Sequence, residues 1–210
     1  MIIHVLLVDD HSMVREGLRL FLESDPEIKV IAEASNGAEA VELTRQMRPN
    51  IVLMDILMPV MDGITATLQI REELPESEII ILSSVLEQET VVRAVKAGAI
   101  GYLLKDIQAD ELCRAVKAAA GGQVQLSPPV SAYLMHEVQV SEPSKNLTER
   151  ESDILRLLAQ GHSNKDIAQR LHVVEDTVKS HVRHILSKLG VQSRTQAALY
   201  AVRLGWVSPH

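Results

Sequence analysis

The sequence predicts an α/β unit built on a doubly wound five-stranded parallel sheet, followed by a small all-α unit of four helices. Three observations predict it. Over the first 120 residues, short apolar runs alternate five times with helix-period segments, the signature of βα repeats. Those runs are almost uninterrupted, as in Ile79-Ile80-Ile81-Leu82, which suits parallel strands covered on both faces. Beyond residue 146 only the helical period remains.

Strands are expected at 5–8, 29–34, 51–54, 79–82 and 101–104, and helices near 12–24, 37–48, 63–74, 87–97 and 108–120. In the first helix Val14, Leu18, Phe21 and Leu22 fall on one face. Asn36 stands where an N-cap is needed for the second, and Pro49-Asn50 stops it. Residues 121–146 change character, punctuated by Gly121-Gly122, Ser127-Pro128-Pro129 and Ser141-Glu142-Pro143-Ser144. They read as a linker with a short helix near 130–138. Thr148-Glu149-Arg150-Glu151 then forms a capping box, in which Thr and Glu three apart satisfy each other's free N–H groups. Helices follow near 149–160, 164–171, 175–189 and 193–204, broken at Gly161, around Val173 and at Gly190. The expected division is 1–122, a linker over 123–145, and 146–210.

Composition narrows the function. Of 210 residues 46% are hydrophobic but only 2% aromatic, so the core is aliphatic and platforms for stacking unpaired bases are lacking. Cys113 is the single cysteine, which excludes an intramolecular disulfide and suits a reducing cytoplasm. The start, Met1-Ile2-Ile3-His4, lacks a basic region or a cleavage site. No apolar run reaches membrane-spanning length. A cytoplasmic protein without membrane contact is expected. The net charge of −7 hides an asymmetry: residues 1–122 carry 20 Asp/Glu and 11 Lys/Arg, while residues 146–210 carry 6 and 9. An acidic first half suits a cation or phosphodonor and a basic second half a polyanion.

Chemistry gathers at the strand ends. Asp9 and Asp10 follow the first strand, Asp55 the third, Ser83 and Ser84 end the fourth, and Lys105 ends the fifth. A doubly wound sheet brings these to one edge. Three carboxylates packed together require a cation, and hard oxygen donors select Mg²⁺ or Mn²⁺. A carboxylate beside a metal and an ammonium can attack phosphorus, the two cations neutralising the transferring group. Any one of these residues alone would read as a turn residue or a solvated charge; all four strand ends together do not.

The stretches VLLVDDHSMVREGL, IVLMDILMPVMDG, IIILSS and AGAIGYLLKD resemble receiver domains of two-component systems, with a flavodoxin-like fold, over about residues 1–122. The resemblance implies that Asp55 accepts the phosphoryl group from a sensor histidine kinase and later loses it by autodephosphorylation. It implies that Asp10 and Asp55 bind Mg²⁺, Asp9 through water, and that the Leu57 carbonyl completes the site. Ser83 and Tyr102 are then the switch residues, Lys105 pairs with the phosphoryl group, and Pro59 and Gly63 shape the loop. Leu57 and Val85, both apolar, would either flank the approach of hydrolytic water and lengthen the signal or merely pack against the neighbouring loop.

The second half carries a helix, a short turn and a second helix over 163–189. That second helix presents Lys179, Ser180, His181, Arg183, His184 and Lys188 opposite an apolar stripe of Val178, Val182, Ile185 and Leu189. Polar groups toward its N-terminal half are what a recognition helix needs to reach base edges. The run LTERESDILRLLAQGHSNKDIAQRLHVVEDTVKSHVRHILSKLGVQSRTQAA resembles the LuxR-type helix-turn-helix domain. With the receiver, it resembles the NarL/FixJ class of response regulators. That resemblance implies base contacts from Lys179, Ser180 and Arg183, and backbone contacts from Thr177, His181, Lys165 and Lys188. It further implies a dimer surface on the last helix, binding to double-stranded promoter DNA as a homodimer formed on phosphorylation, and RNA polymerase as a candidate contact. Val174 stands where the family usually has a Ser or Thr N-cap, and a missing cap costs about 1 kcal/mol; Glu175 and Asp176 in the first turn offset part of that through the helix dipole. Two other functions compete. A phosphatase with an aspartyl-phosphate intermediate would carry a second carboxylate where Leu57 stands. A constitutive regulator would not need a complete acidic site.

Overall fold

The computed structural model describes residues 2–84, 87–126, 130, 147–191 and 193–207. Val85 and all but the first residue of the expected 130–138 helix lie outside the described residues. The first half runs β1 (Ile3–Val8), α1 (Ser12–Glu23), β2 (Ile28–Ala34), α2 (Gly37–Met47), β3 (Ile51–Asp55), α3 (Gly63–Glu73), β4 (Glu78–Ser83), α4 (Gln88–Ala97), β5 (Gly101–Leu104) and α5 (Ala109–Ala120). A two-residue strand follows, β6 (Gln125–Leu126). The second half is helical: α6 (Glu149–Ala159), α7 (Asn164–Leu171), α8 (Glu175–Leu189) and α9 (Arg194–Arg203). Among the described residues no helix is long and apolar enough to cross a membrane.

The sheet is parallel, in the order β2-β1-β3-β4-β5-β6. Among the described residues it has six strands rather than the expected five. β6 comes from what reads as linker, and it pairs Gly101 with Gln125 and Tyr102 with Leu126 along the free edge of β5. The continuous apolar runs split between two faces, because successive strand side chains alternate. Leu6, Val8, Val52, Met54, Ile79 and Ile81 join one core. Val5, Leu7, Leu53, Ile80 and Leu82 join the other, with α1 and α5. Each such side chain, fully buried, contributes about 1.5–3 kcal/mol.

Local signals act where the sequence puts them. The Asn36 side chain caps α2 by accepting the Glu39 N–H at 3.0 Å. The Thr148/Glu151 capping box of α6 is present. A second capping box, Ser163 with Asp166, opens α7; Asp replaces the usual Glu or Gln, so the pattern did not stand out. Val174 gives α8 no side-chain cap, as the residue type requires. On α1, Leu22 is buried and Leu18 packs partly on the core, but Phe21 is 48% exposed. The α6–α9 core is Ile154, Leu155, Leu158, Ile167, Ala168, Val178, Ile185, Ala197, Tyr200 and Ala201.

Candidate functional site

The strand order reverses between β1 and β3, and the crevice beyond the carboxyl ends of those strands is where such sheets bind ligands. Asp9 follows β1 and Asp55 ends β3. Both are buried, Asp9 at 1% and Asp55 at 6% exposure, which is costly for carboxylates without compensation. Lys105, just past β5, supplies it: Nζ lies 2.6 Å from Asp9 Oδ2 and 2.8 Å from Asp55 Oδ2. The register of β5 on β4 fixes that lysine, since the Lys105 N–H donates to the Ser83 carbonyl at 2.9 Å.

The remaining oxygens are held by backbone. Asp9 Oδ1 accepts the His11 N–H and Asp55 Oδ1 accepts the Ile56 N–H, each at 2.8 Å. Arg15 Nη1 reaches the Asp9 carbonyl at 2.6 Å. The loop after Asp55 folds back on it closely. A Cβ on Gly63 would lie 1.8 Å from the Asp55 carbonyl oxygen, so only glycine fits there. The Gly63 N–H donates to Ile56 at 2.9 Å, and Asp62 caps α3 through the Thr65 N–H. Val60 in this loop takes a left-handed φ of 67°. Leu57 stands beside the site with its side chain open to solvent.

Electrostatics follow from burial. Burial raises the Asp55 pKa above the ordinary carboxylate value, against the pull of Lys105 and the Ile56 N–H. Burial works to discharge Lys105, but Asp55 and Asp9 outweigh it and raise its pKa. Tyr102 is fully buried; burial raises its pKa, while a hydrogen bond with Ser83 opposes the rise. Ser83 and Tyr102 are thus joined next to the acidic cluster.

A side chain the sequence reading passed over sits here. His11 Nδ1 is 2.7 Å from Asp10 Oδ1 and 3.4 Å from Asp9 Oδ1, and donor atoms of Asp9, Asp10 and His11 all lie within 4.8 Å of one another. The only signal was its place after two aspartates. The carboxylates of Asp9 and Asp10, grouped with His11 at this edge, supply oxygen donors of the kind a hard divalent cation prefers.

The second candidate surface is α8. Lys179, Ser180, Arg183 and Lys188 are exposed, as is Lys165 on α7, while Thr177 and His181 are half-buried. Val178 and Ile185 face inward. Lys179 Nζ is tethered within its own helix, 3.3 Å from Glu175 and 3.4 Å from Asp176. Lys188 Nζ reaches across to Glu151 at 2.7 Å. An ammonium has three donors, so this ion pair leaves Lys188 able to meet a phosphate as well. The α9 residues Ala197 and Ala201 are core, while Leu199 packs against the α/β half.

Two family profiles match the chain. "Response regulator receiver domain" covers residues 5–117, and "Bacterial regulatory proteins, luxR family" covers residues 145–201. The transcriptional regulatory protein LiaR of Bacillus subtilis is 46% identical over 205 residues, covering 96% of this chain and 97% of its own. The response regulator protein VraR of Staphylococcus aureus is 42% identical over 202 residues, with the same coverage of 96% and 97%. Among solved structures, the response regulator ChrA of a heme-sensing two-component system is 41% identical with a TM-score of 0.55, covering 98% of this chain and 99% of its own. RcsB, in a structure of two dimers bound to two parallel DNAs, is 26% identical with a TM-score of 0.59, covering 97% and 100%. With both halves matched in order and relatives aligned end to end, the chain belongs to the NarL/LuxR class of two-component response regulators, a receiver domain followed by a LuxR-type DNA-binding domain.

Proposed function

We propose that this response regulator takes a phosphoryl group from a sensor histidine kinase onto Asp55, and that the modified receiver promotes dimerisation and tighter binding to double-stranded promoter DNA. In this reading residues 1–122 are the receiver, 123–145 the connection and 146–210 the DNA-binding domain, working in the cytoplasm. The observation that carries the reading is Lys105 bridging buried Asp9 and Asp55 at one sheet edge. Those contacts offset part of the cost of keeping a charged nucleophile in a buried pocket.

In the transfer, an Asp55 oxygen bonds to phosphorus as the P–N bond of the donor histidine breaks, the electron pair returning to the imidazole. Lys105, already placed beside Asp55, pairs with the developing phosphoryl oxygens. Asp10 and Asp55 would hold Mg²⁺ or Mn²⁺ directly, Asp9 through water, with the Leu57 carbonyl as a further ligand. The ion, when bound, neutralises charge on the transferring group. Ser83, which ends β4 beside β3, donates to the new phosphoryl oxygen, and Tyr102, hydrogen-bonded to Ser83, follows it. On DNA, Lys179, Ser180 and Arg183 read base edges, and Thr177, His181, Lys165 and Lys188 meet the backbone.

Labelling by acetyl phosphate in Mg²⁺ tests the acceptor. Asp55→Asn should take no label, with the folded state checked by circular dichroism. Undiminished labelling of that variant would remove Asp55 from the mechanism.

A further inference from the structure

His11 is the N-cap residue of α1, yet its side chain makes no capping bond. It turns toward the two aspartates instead. Nδ1 lies 2.7 Å from Asp10 Oδ1 and 3.4 Å from Asp9 Oδ1, and donor atoms of the three residues all lie within 4.8 Å of one another. Backbone contacts hold the residue in place. The Val14 and Arg15 N–H groups donate to the His11 carbonyl at 3.1 and 3.2 Å. The His11 N–H donates to Asp9 Oδ1 at 2.8 Å, and Asp9 is itself tied to β2, its N–H donating to the Ala34 carbonyl at 3.2 Å. With its N–H and its carbonyl both engaged, His11 has little left to vary except its side-chain torsions. The imidazole is exposed, so an ion can reach it from solvent.

The two oxygens of Asp9 face different partners. Oδ2 meets the Lys105 ammonium at 2.6 Å, as Asp55 Oδ2 does at 2.8 Å. Oδ1 lies on the side of Asp10 and His11. Lys105 thus neutralises one side of the cluster, and an imidazole nitrogen stands on the other. Neighbouring ligands of an ion with bonds of about 2.1 Å are about 3 Å apart at right angles and about 3.4 Å apart at the tetrahedral angle. The separations of His11 Nδ1 from its two carboxylate oxygens are of that size.

Charge at this edge is finely balanced. The N-terminus of α1 carries about half a positive charge, and Arg15 Nη1 sits 2.6 Å from the Asp9 carbonyl. Both weigh against a cation, while the carboxylates weigh for it. A neutral imidazole, the form that binds metals, adds a ligand atom without disturbing that balance. It also changes which ion is preferred. Mg²⁺ takes oxygen ligands and keeps its waters, whereas imidazole nitrogen suits later first-row ions. We propose that His11, through Nδ1, is a ligand of the receiver's divalent cation, and that it makes the site prefer borderline ions such as Co²⁺ and Zn²⁺ over Mg²⁺. The proposal rests on the metal reading given above and adds a ligand to it.

The test titrates the full chain with Mg²⁺ and with Co²⁺ by calorimetry, at one pH, in wild type, His11→Ala and Asp10→Asn. Circular dichroism checks that each is folded. Wild type should bind Co²⁺ more tightly than Mg²⁺. That preference should fall at least about tenfold in His11→Ala, the smallest loss usual when even an outer partner of a metal site is removed. Asp10→Asn should weaken both ions. Nitrogen NMR of protein carrying isotope-labelled histidines identifies the ligand directly. One equivalent of Zn²⁺ should move one Nδ1 resonance to the metal-bound position, and that resonance should be the one missing from His11→Ala. A preference unchanged in His11→Ala, or a His11 Nδ1 that Zn²⁺ leaves in place, would overturn the proposal; ion binding still sensitive to Asp10→Asn would then leave the metal reading standing. Ion binding that Asp10→Asn does not weaken would overturn the metal reading and this proposal with it.

Discussion

Asp55 is a side chain on which burial and use pull in opposite directions. Its neighbours could hold it ionised, yet burial dominates and its pKa stands above 3.8. An acid raised in the folded state stabilises the fold fully below its unfolded value and loses that contribution as pH rises through the folded value. Near neutrality the ionised Asp55 is therefore a burden on the fold, and Asp55→Asn relieves it. The stability of Asp55→Asn relative to wild type should increase as pH rises from about 4 to about 7 in chelator. Calorimetric unfolding of both proteins across that range checks this, and a difference independent of pH would mean that Lys105 fully offsets the burial. Leu57 belongs to the same scale. Its exposed side chain offers no hydrogen bond to a hydrolytic water, so phospho-Asp55 should decay more slowly in wild type than in Leu57→Asn with Val85→Glu, which decay of both under the same Mg²⁺ checks.

At the scale of single helices, α6 and α8 are tied by one ion pair. Glu151 serves the capping box through the Thr148 N–H at 2.7 Å, and the same oxygen accepts Lys188 at 2.7 Å. Burial alone would raise the Glu151 pKa, but Lys188 and Thr148 outweigh it and lower the value below 4.5. The depressed acid contributes stability above about 4.5 and loses it as pH falls through the folded-state value. Lys188→Ala should therefore destabilise the DNA-binding domain by about 1 kcal/mol at neutral pH, the exposed ammonium being screened, with the penalty fading in acid. On DNA the same variant should weaken all sequences alike and lower the salt slope by about one. Lys179→Ala should act differently, costing about 1–3 kcal/mol and relaxing preference at one base position. Binding isotherms on selected and random duplexes separate the two roles. Equal losses on both duplexes for Lys179→Ala would assign it to the backbone.

For the whole molecule the charge distribution and the domain contact matter together. The acidic receiver and the basic DNA-binding domain are joined by α9 lying on α4 and on the chain just before β5. A single domain of this size makes few base contacts, so two half-sites are the route to specificity. Sedimentation at micromolar concentration should give a monomer without phosphodonor and a dimer with acetyl phosphate and Mg²⁺. A strict monomer in both states, on and off DNA, would contradict control by dimerisation.

The sequence by itself determined the order of elements and the strand ends carrying Asp9, Asp10, Asp55, Ser83 and Lys105. Apolar periodicity sets where strands and helices run, and a doubly wound sheet then leaves the carboxyl ends at one edge. It also determined local devices such as the Asn36 cap and the Thr148 box, whose partners lie three residues away. Tertiary structure decided the rest. β6 has only two residues and no apolar run, and it exists because β5 offered a free edge. Phe21 shares a helical face with buried Leu22 yet lies half in solvent, because the width of a buried stripe depends on what packs against it. Lys188 meets Glu151 across 37 positions, and Arg194, an ordinary surface residue by its type, is buried where two domains meet. Such contacts form between surfaces that exist only after each element has folded, so no local pattern in the chain announces them.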